Sequence, residues 1–566
     1  MSTGMSRMVA LISVTLAACG PPEDPRRSAV LITLDTTNPG ALDVYGSSRG
    51  LTPAIANLAE EGVVFERAWS VAPLTLPAHA SMLTGLYPPR HTVRDNGWLP
   101  LPSSADTVSE RASLAGYQTA AFVAAAVLGA QYGLDQGFDV YEAPGGKTGE
   151  AGRVMELPGR EITSRAVSWL DRRDPARPFF LWVHYFDPHA PYAPPERHLR
   201  AAKGKAYLGE VAALDETVGD LLARISAEPG SENTTILLVA DHGEGLGRHG
   251  EATHGLLAYD STLRVPLIVR PAGGRGSLLP RDPRTASVVD IAPTLLNAMG
   301  LGTSPESDMD GRDLLAPSGD PSRGVYIESY TGYFNYGWST LCAWISGESK
   351  YVHGVDPELY DLGQDPTESH SLYRPEDPRV ANARRAIQRM TDRSTLERTA
   401  DESQVVAGSE DLGALGYGAS ASAEALVPDP LEPPDLPDPK SRLEEFARVD
   451  AALMAGNAGK KSQAIDALEE VVAGNPRHAL AARTLSLYLV QAGRPREATA
   501  PLQGLLDRGL DGPIVRQRMA EALALLGEID AAIGHLEAAD LMRPGDPGTI
   551  ELRERLLRLR DAGTDR

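Results

Sequence analysis

The chain has 566 residues, and at about 150 residues per domain this length predicts three to four structural units. Hydrophobic residues make up 42% and charged residues 23%, proportions typical of globular proteins that exclude disorder throughout, a collagen-like fibre and a multi-span membrane protein. The formal charge of −22 argues against nucleic acid as a partner, because phosphate backbones need clustered Lys and Arg; a local site for a small anion remains compatible.

The amino terminus has the pattern of an export signal. Arg7 precedes an apolar run over residues 8–18, which is too short to span a bilayer and is typical of a signal peptide. The segment Leu16-Ala-Ala-Cys19 resembles a bacterial lipobox, which implies a lipoprotein signal over residues 1–19 and a lipidated Cys19 at a membrane surface. Gly20, and not Asp, follows Cys19, which implies that the protein would be placed in the outer membrane of a diderm bacterium. An ordinary cleaved signal, giving a periplasmic or exported protein, is the alternative.

Three apolar runs predict buried strands, at residues 29–34, 179–184 and 235–240. Their hydrophobicity is continuous, which indicates strands covered on both faces and hence an α/β fold with a largely parallel sheet. Asp35, Asp187 and Asp241 follow these runs at or near their ends. Ligand sites of such sheets form at the carboxyl ends of strands, so we expect a polar site there, within a domain spanning residues 28–320.

The next two segments predict less regular structure. Residues 321–394 contain short β-like runs, which indicate a small antiparallel subdomain packed on the main sheet. Cys342 is predicted to be a buried thiol within this segment. Residues 395–440 include six prolines between positions 428 and 439, a pattern typical of a stiff, extended linker.

The tail, residues 441–566, repeats itself with a step of 34 from one copy to the next. Three columns of residues keep this step: Gly459, Gly493 and Gly527; Ala464, Ala498 and Ala532; Leu468, Leu502 and Leu536. The period resembles that of tetratricopeptide repeats and predicts stacked helix pairs, whose surface is a candidate site for a protein partner. The usual aromatic residue early in the first helix is missing. A generic helical bundle, or repeats that only cap the preceding domain, are the alternatives.

Polar residues suited to chemistry concentrate in the first domain, where eight of the twelve histidines lie between His79 and His254. Four segments stand out: Leu34-Asp-Thr-Thr37; Pro73-Leu-Thr-Leu-Pro-Ala-His79; Asp187-Pro-His-Ala-Pro-Tyr192; and Asp241-His-Gly-Glu-Gly245 with His254. Carboxylates of Asp35 and Asp241 and the imidazole of His242 form a mixed oxygen and nitrogen set. Such a set suits one divalent ion (Mn, Zn, Ca or Mg) without selecting among them.

In order and spacing, these segments resemble the sulfatase branch of the alkaline phosphatase superfamily, from about residue 28 to residue 372. The resemblance implies a mostly parallel sheet sandwiched by helices, a small antiparallel carboxy-terminal subdomain and a metal-dependent ester hydrolase. It assigns Asp35, Thr36, Asp241 and His242 to the metal, although a cap at the strand end is the alternative interpretation of Thr36.

The nucleophile position of the family falls on Thr75, and here the chain departs from sulfatases. Sulfatases carry Cys or Ser, which is converted to formylglycine, in a motif that ends in Arg; this chain has Thr75-Leu-Pro-Ala-His79. Because threonine cannot yield that aldehyde, its covalent ester must be cleaved by water or another acceptor. Thr75 at the start of a helix is placed for contact with an anion. A simple helix cap is the alternative.

The same resemblance assigns supporting roles. His254 and His189 are predicted to contact the substrate or to protonate its leaving group as catalytic residues. Asn96, Arg94 and His79 are predicted to bind the substrate anion. Asn38 replaces a common Arg of the family, which leaves room for a different substrate or reduced activity.

The leading hypothesis is therefore hydrolysis of a small sulfuric or phosphoric ester, the latter a phosphodiester or phosphonate. A second hypothesis is transfer of phosphoethanolamine or glycerophosphate at the cell surface. A third is an inactive catalytic fold in which the repeats act as a binding protein.

Overall fold

The computed structural model describes residues 27–47, 49–97, 99–144, 156–302, 308–316, 323–399 and 427–564. The export signal and Cys19 lie outside these ranges. Within them, no helix combines the length and the apolar composition needed to cross a bilayer.

An eight-stranded sheet forms the centre of the larger unit, in the order β4-β3-β5-β1-β6-β7-β2-β8. Its strands are β1 Ser28–Leu34, β2 Val63–Trp69, β3 Gln118–Val123, β4 Val140–Glu142, β5 Phe179–Tyr185, β6 Thr234–Ala240, β7 Leu267–Arg270 and β8 Arg281–Ser287. Strand β7 runs antiparallel to both of its neighbours, β6 and β2, while the other pairs are parallel. The expectation of a largely parallel α/β sheet is confirmed.

Helices cover both faces of this sheet. They are α1 Pro53–Glu61, α2 Thr75–Thr84, α3 Pro88–His91, α4 Val108–Leu114, α5 Gly159–Arg172, α6 Glu196–Ala201, α7 Ala206–Ser226, α8 Asp260–Leu263 and α9 Ile291–Ala298. Helices α1, α5 and α7 pack together as one layer, and α2, α4 and α9 as the other. With both faces covered, β5 and β6 are buried along their whole length, as their continuous apolar sequences require.

The register of the central strands sets the position of the polar edge. Strand β1 lies between β5 and β6, and Leu34 pairs with Tyr185 on one side and with Ala240 on the other. The next residues, Asp35 and Asp241, therefore leave the sheet at the same level. Asp187 does not join them, because its carboxylate accepts a hydrogen bond from the backbone N–H of Gly159 (3.2 Å).

A smaller antiparallel sheet follows, in the order β12-β11-β10-β9, with helices α10 Thr331–Tyr336 and α11 Pro378–Thr391. Its strands are β9 Gly324–Ser329, β10 Leu341–Ser346, β11 Ser349–His353 and β12 Glu358–Asp361. Strand β10 carries Cys342, which is buried as expected. The described end of the Pro-rich segment packs on this sheet: the carbonyl of Leu431 contacts the ring of His353 (3.1 Å), so this part is no free spacer.

The carboxy-terminal region is helical, with α12 Leu443–Asn457, α13 Lys461–Gly474, α14 Ala479–Gln491, α15 Pro495–Leu506, α16 Pro513–Leu525, α17 Ile529–Met542 and α18 Pro547–Thr564. The ends of α12, α14 and α16 keep the step of the sequence repeat, and so do the starts of α13, α15 and α17. The sequence period is therefore the period of a two-helix unit. The likeness to tetratricopeptide repeats stays a prediction.

This helical region packs against the smaller sheet unit. The ring of Tyr336 contacts Phe446 (centroids 5.5 Å apart) and His478 (4.7 Å), and the side-chain amide of Asn475 donates to the carbonyl of Tyr336 (2.8 Å). At Gly337, a Cβ atom would meet the backbone carbonyl oxygen of Arg477 at 2.9 Å. These contacts place the first repeat helix beside the polar edge of the large sheet.

The repeated glycines give a test of the two-helix unit. Gly493 has φ +75°, and a Cβ atom added there would have nothing within 4 Å, so only backbone strain opposes a substitution. We expect Gly493→Ala to lower the free energy of unfolding by about 1 kcal/mol, because L-residues disfavour the left-handed region. Urea titration followed by circular dichroism measures this change. Gly474→Ala, at an open position without positive φ, is the matched control and should cause no loss; equal losses would contradict the explanation.

Candidate active site

Three side chains converge at the ends of the two central strands. Asp35 follows β1, and Asp241 and His242 follow β6. The Nε2 atom of His242 lies 3.6 Å from Oδ1 of Asp35 and 3.6 Å from Oδ2 of Asp241. All three side chains are fully buried. The structure thus brings together three of the side chains that the sequence singled out.

The hydrogen bonding of this cluster leaves ligand atoms available. Both carboxylate oxygens of Asp35, Oδ2 of Asp241 and the hydroxyl of Thr36 are buried without a hydrogen-bond partner among the described residues. The Nδ1–H of His242 donates to the carbonyl of Gly243 (3.0 Å), which leaves the Nε2 lone pair facing the carboxylates. A divalent cation fits this set, because uncompensated buried carboxylates are otherwise costly.

The electrostatics of the cluster agree with a bound cation. Burial raises the pKa of Asp35 and of Asp241, and the charge of Asp35 raises the pKa of Asp241 further. For His242, burial alone would lower the pKa, but the two carboxylates outweigh it and raise the pKa. A cation would reverse these shifts by stabilising the ionised carboxylates and the neutral imidazole.

Thr36 is held in an unusual backbone conformation at this site. Its φ is +48°, a region that β-branched residues rarely adopt. The backbone N–H of Thr36 donates to Oδ1 of Asp241 (3.3 Å), and its carbonyl accepts from the hydroxyl of Tyr207 (2.8 Å). The surrounding structure therefore maintains the strain, and the Thr36 hydroxyl remains a candidate ligand.

The predicted nucleophile lies directly beside the cluster. Thr75 is the first residue of α2, and its Oγ1 is 3.4 Å from Nε2 of His242. Asn96 accepts a hydrogen bond from the backbone N–H of Leu76 (2.9 Å), while its own Nδ2 has no hydrogen-bond partner among the described residues. This unused donor near the helix start suits contact with an oxyanion.

His79 lies behind the nucleophile, away from solvent. It donates from Nδ1 to the carbonyl of Thr75 (2.8 Å), and burial lowers its pKa to about 3. It is fully buried against the ring of Trp182 and lies 3.8 Å from Oδ2 of Asp241. His79 thus supports the backbone of Thr75, a position that differs from the expected direct contact with substrate.

His184 has a larger role than its sequence context indicated. Its Nδ1 accepts from the backbone N–H of Ala124 (3.3 Å), which places the proton on Nε2, 3.6 Å from Oδ2 of Asp35. Burial lowers the pKa of His184 to about 4, so the ring is neutral near neutral pH. In this tautomer the neutral ring of His184 turns its Nε2–H toward Asp35 and adds no charge beside the carboxylate, which remains without a hydrogen bond among the described residues.

His254 and His189 border the site on its open side. The ring of His254 lies 4.5 Å from that of His242 and 5.1 Å from that of His189. His254 donates from Nδ1 to Glu244 (3.1 Å), and His189 donates from Nδ1 to the carbonyl of Ala190 (2.6 Å). Burial lowers the pKa of both imidazoles, to about 4 for His189. Glu244 therefore orients His254.

Arg94 does not have the predicted role. Its guanidinium forms a two-point ion pair with the buried carboxylate of Glu328 and lies over the ring of Tyr330 (4.1 Å). The charge of Arg94 is therefore neutralised within the protein, and it is not available to a substrate anion. The sequence could not show this, because Glu328 is distant along the chain.

Asn38 also serves a function that the sequence did not indicate. Its side-chain amide donates to the carbonyl of Glu244 (2.7 Å), and its Oδ1 accepts from the backbone N–H of Glu244 (3.0 Å). A Cβ atom at Gly243 would meet this Oδ1 at 2.2 Å. Asn38 thus joins the loop after β1 to the loop after β6, and Gly243 leaves the space for this contact. Position 38 is the one at which the family commonly has Arg.

Comparison with known proteins agrees with this geometry. Residues 27–301 match the family model described as Sulfatase. The chain is similar to the uncharacterized sulfatase YidJ of Escherichia coli, with 26% identity over 441 residues that cover 63% of this chain and 85% of that protein. It is also similar to the choline-sulfatase of Rhizobium meliloti, with 26% identity over 401 residues, 56% of this chain and 77% of that protein.

Among solved structures, the phosphonate monoester hydrolase of Agrobacterium radiobacter shares the fold. The TM-score is 0.53 at 21% identity, and the likeness covers 64% of this chain and 95% of that structure. The family model ends before the smaller sheet begins, so the helical region lies outside the part of the chain that it matches.

Metal binding is tested most directly at Asp35. We expect divalent metal to raise the melting temperature of the wild-type protein. At a metal concentration a hundredfold above Kd, the stabilisation corresponds to about 2.7 kcal/mol of unfolding free energy. Metal should have no such effect on Asp35→Asn. In EDTA, Asp35→Asn should be at least as stable as wild type, because it removes repulsion with Asp241. Thermal melts paired with metal analysis measure both. Asp171→Asn, at an exposed position, is the control; full metal content in Asp35→Asn would refute the assignment.

Proposed function

We propose that this chain, whose α/β unit belongs to the sulfatase family, is a metal-dependent hydrolase of sulfuric or phosphoric esters that uses Thr75 as its nucleophile. The observation that carries the proposal is the position of Thr75, at the first turn of α2 and 3.4 Å from His242. It lies beside three carboxylate oxygens, two of Asp35 and Oδ2 of Asp241, that have no hydrogen-bond partner among the described residues. A hydroxyl in this position can attack an ester held next to a cation.

The residues of this chain divide the reaction into two steps. Oγ1 of Thr75 attacks the phosphorus or sulfur atom, the bond to the alcohol breaks, and the alcohol leaves with a proton. Water then attacks the resulting threonine ester and loses a proton to a base, and the bond between Oγ1 and the phosphorus or sulfur atom breaks. Oγ1 takes up a proton, and the inorganic or monoester product leaves. A divalent ion held by Asp35, Asp241 and His242 would neutralise charge on the ester oxygens and lower the pKa of the attacking hydroxyl.

His254 is suited to the proton transfer of the second step. Its ring is neutral because burial lowers its pKa, and Glu244 holds its Nδ1–H, so Nε2 is the basic atom. Asn96 would donate from Nδ2 to a nonbridging oxygen in both steps. His79 would keep the backbone of Thr75 in place, and the neutral ring of His184 would add no charge beside Asp35.

The nature of the nucleophile favours a simple covalent ester over the aldehyde chemistry of sulfatases. Threonine carries a methyl group on Cβ and cannot become formylglycine. Relatives and structural neighbours include a choline-sulfatase and a phosphonate monoester hydrolase, so both sulfuric and phosphorus esters belong in an assay panel.

The mechanism is tested by substitution of Thr75. With metal present, we expect Thr75→Ala to lower kcat/KM for aryl phosphodiester, aryl phosphonate or aryl sulfate hydrolysis by at least about a thousandfold, because the covalent step is lost. Thr75→Ser should retain part of the rate. Mass spectrometry of acid-quenched wild-type protein should find the ester on Thr75. Undiminished turnover by Thr75→Ala would exclude this mechanism.

We further propose that the protein works at the bacterial cell envelope, anchored by a lipid on Cys19. The lipobox-like segment before Cys19 supports this location, and an apolar anchor would hold the enzyme near surface esters.

The anchor is tested by partitioning in a phase-separating detergent. We expect the mature full-length protein to enter the detergent phase and Cys19→Ala to remain in the aqueous phase, because acyl chains supply the apolar surface. Cys342→Ala is the matched control, because that thiol is buried. Equal partitioning of Cys19→Ala and wild type would argue for an ordinary cleaved signal.

A further inference from the structure

A cavity adjoins the reacting centre and is lined on one side by the helical region. Its volume is about 320 Å³. One side is formed by the site residues His189 and His254, and the opposite side by helix α12, through Phe446, Asp450 and Leu453. The first repeat helix is therefore a wall of this cavity.

The cavity lies where the organic part of a bound ester would extend. Leu74, which directly precedes the nucleophile Thr75, lines it. The ring of His254, another lining residue, is 4.5 Å from that of the metal-site residue His242. An ester with its phosphorus or sulfur at Thr75 therefore has this space available for its alcohol or second substituent.

The charge of the cavity is unexpected for a site that binds an anion. None of the described residues that line it is Lys or Arg, and Asp450 contributes a carboxylate. Among the described residues, Asp450 has neither an ion pair nor a hydrogen bond from its side chain. Burial, with the nearby charge of Glu244, raises the pKa of Asp450. A half-buried carboxylate in such surroundings favours a positively charged ligand group.

Aromatic rings complete these surroundings. Tyr336 and Phe446 both line the cavity, and their ring centroids are 5.5 Å apart. Aromatic faces attract ammonium groups through their quadrupoles, most strongly where water is excluded. Apolar surface from Leu453 would accommodate the methylene or methyl groups of such a ligand.

We propose that this cavity selects esters whose organic part carries an ammonium group, with Asp450 as the specificity-determining residue and Tyr336 and Phe446 as the aromatic walls. The proposal rests on the ester hydrolase function above and gives its substrate class: a zwitterion, with the anionic ester at the metal site and the cation at Asp450. The first repeat helix is then part of the substrate site.

The test compares a cationic ester with its neutral isostere. The probes are p-nitrophenyl phosphocholine and p-nitrophenyl 3,3-dimethylbutyl phosphate, with choline sulfate and 3,3-dimethylbutyl sulfate as the sulfuric pair. We expect the wild-type enzyme to prefer the cationic member of the pair it hydrolyses. Asp450→Asn should reduce this preference in kcat/KM about tenfold, the usual effect of losing one charged contact.

Two further variants keep the test specific. Asp450→Glu retains the charge and should retain the preference. Glu444→Gln removes a carboxylate from an exposed position on the same helix, outside the cavity lining, and should leave the preference unchanged. Equal preference in wild type and Asp450→Asn, or equal loss in Asp450→Asn and Glu444→Gln, would overturn the proposal.

A binding measurement separates this proposal from the proposed function. Calorimetric titration of choline into metal-loaded wild-type protein needs no turnover. Binding that is lost in Asp450→Asn, with no binding of 3,3-dimethylbutanol to wild type, supports the cation site even if no ester is hydrolysed. Absence of choline binding to a wild-type enzyme that hydrolyses esters would overturn the cation site and leave the hydrolase function intact.

Discussion

The burial of two carboxylates at the ends of adjacent parallel strands is the constraint on which the rest of this site depends. Asp35 and Asp241 leave β1 and β6 at the same level, shielded from water and without enough hydrogen bonds to compensate their charge. Such an arrangement is stable only when a cation is bound or when a carboxylate is protonated, and the binding of a ligand changes both the charge balance and the protonation state. Burial keeps His79 and His184 neutral near neutral pH, so these two rings add no positive charge beside the carboxylates.

The loops that carry these ligands are held by close backbone contacts. Asn38 bridges to Glu244, and Gly243 leaves space for that bridge. Glu244 in turn orients His254 and accepts a hydrogen bond from Tyr192 (2.9 Å), so a single carboxylate couples the metal loop to the open side of the site. An Arg at position 38 would add charge to this loop, whereas the amide joins the same elements without charge. The departure from the family pattern is thus compatible with an ordered site.

The helical region extends the site instead of only following it. Tyr336 packs against both Phe446 and His478, and this contact fixes α12 beside His189 and His254. A repeat region that packs on a catalytic unit can supply a substrate wall with one helix and still present its remaining surface to other molecules. The negative charge of Asp450 on this wall lies opposite the cluster of Asp35, Asp241 and His242, which with a bound cation is suited to an anion. This pairing favours a zwitterionic ligand.

Local patterns along the chain are sufficient to predict the α/β fold, the strand ends that carry Asp35 and Asp241 and the period of the helical repeats, because continuous hydrophobicity, strand-end polarity and repetition are properties of neighbouring residues. The choice of Thr75 comes from the resemblance of its segment to the sulfatase motif. The partner of each polar group follows from the folded arrangement alone. Glu328 neutralises Arg94, His184 reaches Asp35, Glu244 orients His254, and Asp450 joins the site from the first repeat helix, far along the chain from its other members. Most of these pairings join elements distant in sequence, and their energies depend on burial and distance, which no local pattern encodes.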